Sequence, residues 1–170
     1  MQLTYLLDPD QCNFMIQPYD GFVDSGNRSP WTQEVVVHNI VWDSNLSVEV
    51  DEVDDDHKRL VELHSLLSKA VSENESAEYI DALLEELLTC TAWHFRHEER
   101  LMIKYQYDRF EEHKSEHQEL IEVGRELQKK LQDNQLQLSE DDVDFLADWL
   151  VVHILNQDMK MGYYLMTVMD

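Results

Sequence analysis

Residues 51–170 contain no proline, and no other feature constrains the chain's fold so strongly. Inside a helix, proline removes a hydrogen bond and clashes with the preceding turn, at a cost of about 3 kcal/mol. A run this long without one, weakened only by Gly124 and Gly162, predicts helix after helix. The apolar residues recur at the matching period. Leu60, Val61, Leu63, Leu66, Leu67, Ala70 and Val71 form the stripe of a first helix at about 53–72. The polar stretch Ser72-Glu73-Asn74-Glu75-Ser76 ends it. Ser76 is suited to cap a second helix, buried through Ile80, Leu83, Leu84, Leu87 and Leu88 and running to about Lys104. A third spans about Phe110 to Leu131. Ser139, with Asp142 three residues on, reads as a capping box opening a fourth, whose core side is Val143, Phe145, Leu146, Trp149, Leu150 and Ile154. Four amphipathic helices with short joints bury their stripes best as an antiparallel up-down four-helix bundle, so the expected class is all-α.

The N-terminal part differs. It holds all three prolines (Pro9, Pro18, Pro30) and two of the four glycines, and it shows no helical period. Val35 to Trp42 is β-branched enough to suggest a short strand. The expected organisation is an irregular arm over residues 1–50 packing on a bundle over 51–170. Composition narrows the function. A formal net charge of −23 repels a phosphate backbone and anionic lipid alike, so neither nucleic acid nor membrane is an expected partner. Cys12 and Cys90 make no disulfide framework, and Met1-Gln2-Leu3-Thr4-Tyr5 has neither a basic start nor an apolar run. No stretch reaches the length of a membrane span, and the two cysteines read as reduced thiols of a cytoplasmic protein.

The eight histidines carry the chemistry. His57 and His64 fall on the first helix, and His94 and His97, followed by Glu98, on the second. His113 and His117 fall on the third, and His153, followed by Asp158, on the fourth. Residues i and i+4 share a helix face, so His94 with Glu98, and His113 with His117, can each point two ligands inward. His153 to Asp158 is i+5, about 140° around an ideal helix. That pair fits if its members approach two sides of a metal pair, or if the helix is locally irregular. Any one histidine alone reads as an ordinary surface or core residue; every helix offering a metal-capable side chain does not. Imidazoles with carboxylates suit iron, zinc, copper or manganese. Seven candidate ligands are too many for one ion and suit two, held roughly 3.5–4 Å apart by bridging carboxylates.

At these residues the sequence resembles the hemerythrin family, in particular its bacterial branch. The resemblance runs from Trp42 to about Asp158. It includes Trp42-Asp43, Asp54-Asp55-Asp56-His57-Lys58-Arg59-Leu60, His94-Phe95-Arg96-His97-Glu98-Glu99, His113-Lys114-Ser115-Glu116-His117 and His153-Ile154-Leu155-Asn156-Gln157-Asp158. The order His, HxxxE, HxxxH, HxxxxD is specific where its parts are not. The resemblance implies a hemerythrin-like bundle with an oxo- or hydroxo-bridged pair of iron ions that binds dioxygen reversibly. Carried over, His113, His117 and His153 ligate one iron. His57 and His94 ligate the other, which keeps an open position, and Glu98 and Asp158 bridge the two. Leu60, Trp149, Leu150 and Ile154 are the expected apolar lining, which would exclude water.

Other histidines have blander readings. His64 lies two turns from His57 and reads as a partly buried or surface residue with an outer-sphere contact as the alternative. His97 is expected to face outward, His38 to be structural, and Cys90 not to ligate. The functional expectation is a binding protein and not an enzyme, acting as an oxygen or redox sensor with a downstream signalling domain or partner protein. The arm and the apolar tail Met159–Met166 favour a sensor, a module excised from a longer protein. The alternatives are an oxygen carrier or store, a di-iron oxidase or peroxidase, a nitric-oxide-handling enzyme, and a plain bundle with adventitious zinc. No Glu-x-x-His occurs in the chain, which disfavours the ferritin-like oxidases.

Overall fold

The computed structural model describes residues 40–134 and 136–169. The first helix, α1, is Asp51–Ser72, and α2 is Ala77–Tyr105. They are followed by α3 (Phe110–Asn134) and α4 (Glu140–His153). A π turn, Ile154–Asp158, then leads without a break into α5, Met159–Val168. Short joints between long helices make neighbours antiparallel. Helix α1 packs against α2 and α4, and α2 also against α3 and α5. The tail expected only as an apolar segment is therefore helical. Among the described residues no helix is long and apolar enough to cross a membrane.

Local chemistry sets the helix limits. Ser76 accepts a hydrogen bond from the Tyr79 amide at the start of α2. Ser139 and Asp142 form the reciprocal capping box at the start of α4. Helix α2 stops where Gln106 turns left-handed at φ 57°, returning its amide to Ile103 and Met102 carbonyls. Helix α1 has no side-chain cap at Val50, but Asp51, Glu52 and Asp54 crowd its first turn, where the helix dipole favours negative charge.

The helices bury one continuous core, including Leu60, Leu63, Leu67, Leu84, Leu88, Met102, Leu146, Ile154, Met161 and Leu165. The segment ahead of α1 joins it through Ile40, Leu46, Val48 and Val50. Asp54 fastens this segment by accepting from the Val48 amide at 2.8 Å and the Ser47 hydroxyl at 2.5 Å. Most of the strand expected over 35–42 lies outside the described residues; Ile40–Trp42 is irregular. His38 and Cys12 also lie outside them.

Candidate metal centre

Side chains from all four long helices and the π turn meet in the bundle interior. His57 from α1, His94 and Glu98 from α2, His113 and His117 from α3, His153 from α4 and Asp158 from the π turn are each at most 2% exposed. The i+5 spacing of His153 and Asp158 is met by the helix itself. The Met159 amide bonds to the Ile154 carbonyl five residues back, so the chain widens by one residue per turn there. That turn brings Asp158 back over His153, Oδ1 lying 3.0 Å from Nε2.

The two carboxylates divide their oxygens. Asp158 Oδ1 faces His113 Nε2 at 3.1 Å and His153 Nε2 at 3.0 Å, while Oδ2 faces His57 Nε2 at 3.2 Å. Glu98 Oε2 faces His117 Nε2 at 3.1 Å and His113 Nε2 at 3.6 Å, while Oε1 faces His94 Nε2 at 3.8 Å. Two overlapping donor groups result. One holds His113, His117 and His153 with Glu98 and Asp158; the other holds His57 and His94 with the same two carboxylates. Within each group the donor atoms lie within 4.8 Å of one another.

Few of these atoms are hydrogen-bonded in spite of their closeness. Both nitrogens of His57 and His94, both oxygens of Glu98, and Asp158 Oδ2 are buried without a hydrogen-bond partner. Leaving such a group unpaired costs about 1–3 kcal/mol, more when charged. Converging, unpaired nitrogen and oxygen donors fit a pair of cations. The electrostatics agree. Burial works against protonation of His153, yet the Asp158 carboxylate and its hydrogen bond push that imidazole up to about 10. Burial likewise opposes protonation of His113, but Asp158 and Glu98 push it up to about 9. For Glu98 and Asp158, burial and mutual repulsion are outweighed by the surrounding imidazoles, which hold both carboxyls below their usual range. The field at the cluster favours positive charge.

Leu60, Leu150 and Ile154 are at most 2% exposed and Trp149 is 8% exposed, so all four expected lining residues are buried. Phe95 was not singled out from the sequence. Its ring stacks on His117 with centroids 3.8 Å apart and meets His153 edge-on at 5.1 Å. Its position beside His94 signalled proximity, but a residue 100° from a ligand gives no hint of a cross-helix stack. Trp42 approaches from the preceding segment, 6.3 Å from the His57 ring.

Two histidines depart from expectation. His64 is buried, not at the surface, with Nε2 3.0 Å from the Val143 carbonyl of α4. His97 is only partly outward, with Nδ1 2.6 Å from Asp56 and Nε2 3.2 Å from Glu52. Cys90 is a free, half-buried thiol outside both donor groups.

Comparison with known proteins gives a consistent result. The Hemerythrin HHE cation binding domain matches residues 48–165. Bacteriohemerythrin of Methylococcus capsulatus is 34% identical over 109 residues, 64% of this chain and 82% of that protein. Hemerythrin of Themiste dyscrita is 34% identical over 119 residues, 70% of this chain and 88% of that protein. A solved structure of wild-type hemerythrin superposes with a TM-score of 0.70 at 31% identity, covering 74% of this chain and 97% of its own.

Proposed function

This chain belongs to the hemerythrin family, and from that premise we propose that it binds dioxygen reversibly at a di-iron centre and serves as an oxygen or redox sensor. It is a binding protein, not an enzyme. The observation that carries the di-iron reading is the division of oxygens: Glu98 and Asp158 each turn one oxygen to the three-histidine group and the other to the two-histidine group. His113, His117 and His153 would hold one iron and His57 and His94 the other, with Glu98 and Asp158 shared between the two groups. The second group has one donor fewer, which suits an open position for a small ligand. A ferrous pair held there would supply one electron per ion for the reversible binding of dioxygen.

The residues around that centre have separable tasks. The Phe95 stack holds the His117 ring flat against an apolar wall. Leu60, Trp149, Leu150 and Ile154 are buried and would keep water from that centre. The sensor reading is supported by continuity of backbone. Asp158 leads directly into α5, and at Gly162 that helix lies against the Val48 carbonyl ahead of α1. A displacement of Asp158 therefore has a short route to α5 and to the segment ahead of α1. The same reading takes residues 1–50 as an arm and 51–170 as the bundle, supported by burial of Ile40, Leu46, Val48 and Val50. It places the protein in the cytoplasm.

Anaerobic loading with ferrous iron followed by exposure to oxygen tests the binding reading. Two irons per chain and a coloured adduct that bleaches when oxygen is removed are expected. Turnover with a reductant would instead make it an enzyme, and absence of any spectral response would leave only a scaffold. Hydrogen exchange tests the sensor reading: protection in 40–50 and α5 should differ between oxygenated and reduced protein, and identical protection would refute it.

A further inference from the structure

Resting on the di-iron reading above, we propose that Glu116 is a positioning residue for His153, fixing its tautomer and strengthening Nε2 as a donor. All five histidines of the cluster turn Nε2 towards the buried carboxylates, which leaves each Nδ1 facing outward. The surroundings of those outer nitrogens are unequal. Nδ1 of His57 and of His113 has no hydrogen-bond partner. His117 Nδ1 lies 3.5 Å from Glu99, and His94 Nδ1 lies 3.6 Å from Asp56, both beyond ordinary hydrogen-bond length. Asp56 is moreover engaged by His97 at 2.6 Å. Of the five cluster histidines, only His153 has Nδ1 within hydrogen-bond length of a carboxylate, 3.1 Å from Glu116 Oε1.

The geometry follows from helix register. Glu116 precedes His117 on α3 and so points about 100° away from that inward imidazole, onto the flank that meets α4. Its side chain is 30% exposed, so the carboxylate keeps contact with water while one oxygen reaches the buried ring. With Nδ1–H donating to Glu116, the lone pair of Nε2 must point inward. The negative partner also raises electron density on the ring, which favours metal binding and the higher oxidation state. Glu116 thus acts on one histidine of the three-histidine group and on none of the two-histidine group.

The test compares Glu116→Gln and Glu116→Ala with Glu119→Gln, which removes the same charge from an exposed site on the same helix. Iron retention is read by competition with a chelator and the midpoint potential by redox titration, with helicity checked by circular dichroism. Glu116→Ala should weaken iron binding roughly 10- to 100-fold and raise the potential. Glu116→Gln, whose amide oxygen still accepts from Nδ1–H, should fall between it and wild type, and Glu119→Gln should match wild type. Folded Glu116→Gln and Glu116→Ala proteins matching wild type in both readouts would overturn the proposal while leaving the di-iron reading intact. Wild-type protein that takes up no iron pair would overturn both.

Discussion

His64 shows what a buried imidazole outside the ligand set does to stability. Its Nε2–H donates to the Val143 carbonyl, while Nδ1 has no partner. Burial pushes its pKa below 6.5, and the Val143 bond and Asp144 offset this only in part. As pH falls through 6.5 the unfolded chain takes up a proton that the native state refuses. Stability is therefore complete above that pH and is lost progressively below it, down to the native pKa. Urea unfolding between about pH 7.5 and about pH 5.5 should show a steeper fall for wild type than for His64→Gln. Parallel curves for the two proteins would refute the assignment. The face His64 occupies was legible from its distance of two turns to His57. Its carbonyl partner was not, because Val143 is brought to it only by the packing of α1 on α4. His97 was missed for the same reason, its partners Asp56 and Glu52 being on another helix. Four of the cluster residues needed no such knowledge, because the i,i+4 spacing of His94 with Glu98 and of His113 with His117 puts each pair on one helix face; His57, His153 and Asp158 were reached through the resemblance.

At the scale of elements, the π turn and the close contact at Gly162 decide how the C-terminal rod serves the site. Within the π turn, Asn156 Nδ2 donates to the Val152 carbonyl of α4 at 2.9 Å. Asn156→Ala should lower the unfolding free energy by about 0.5–1.5 kcal/mol, the usual net worth of such a bond. Denaturant titration showing no loss would mean that water serves Val152 equally well. The two helical glycines should behave oppositely. A methyl group at Gly162 would lie 2.2 Å from the Val48 carbonyl oxygen, which is backbone and cannot swing away. Gly162→Ala should therefore destabilise by about 1–3 kcal/mol. At Gly124 the clash, 2.5 Å, is with the end of the Leu88 side chain, and the alanine gains helix propensity worth up to about 1 kcal/mol. Gly124→Ala should be close to neutral, and equal losses at the two sites would contradict this account. The four long helices were legible because capping residues and stripes are local. Helix α5 was not: its apolar residues suggested only a tail, and the i+5 pair left open whether the helix was irregular or the ligands approached from different sides.

For the whole molecule, two electrostatic burdens act together. The net charge of −23 makes the surface repel itself, so added salt should raise the melting temperature with or without metal, by shortening the Debye length to about 8 Å at 0.15 M. The second burden is internal and salt does not reach it. His57, His94 and Glu98 hold buried nitrogens and oxygens with no hydrogen-bond partner, drawn from α1 and α2 and facing groups on α3, α4 and the π turn. The bundle's long helices are thus pinned at one point by donors that need a cation. A ligand that binds only the native state adds about 4 kcal/mol at a thousand times its dissociation constant. For a chain of this size each kcal/mol is worth about 2–4 °C. Calorimetry should therefore show iron-loaded protein melting roughly 8–16 °C above chelator-treated protein at any one salt concentration. The salt increment should be similar in both forms, because screening acts on the exposed charges and metal binding on the buried ones. Equal melting temperatures with and without iron would mean that the converging donors are not the metal's native site.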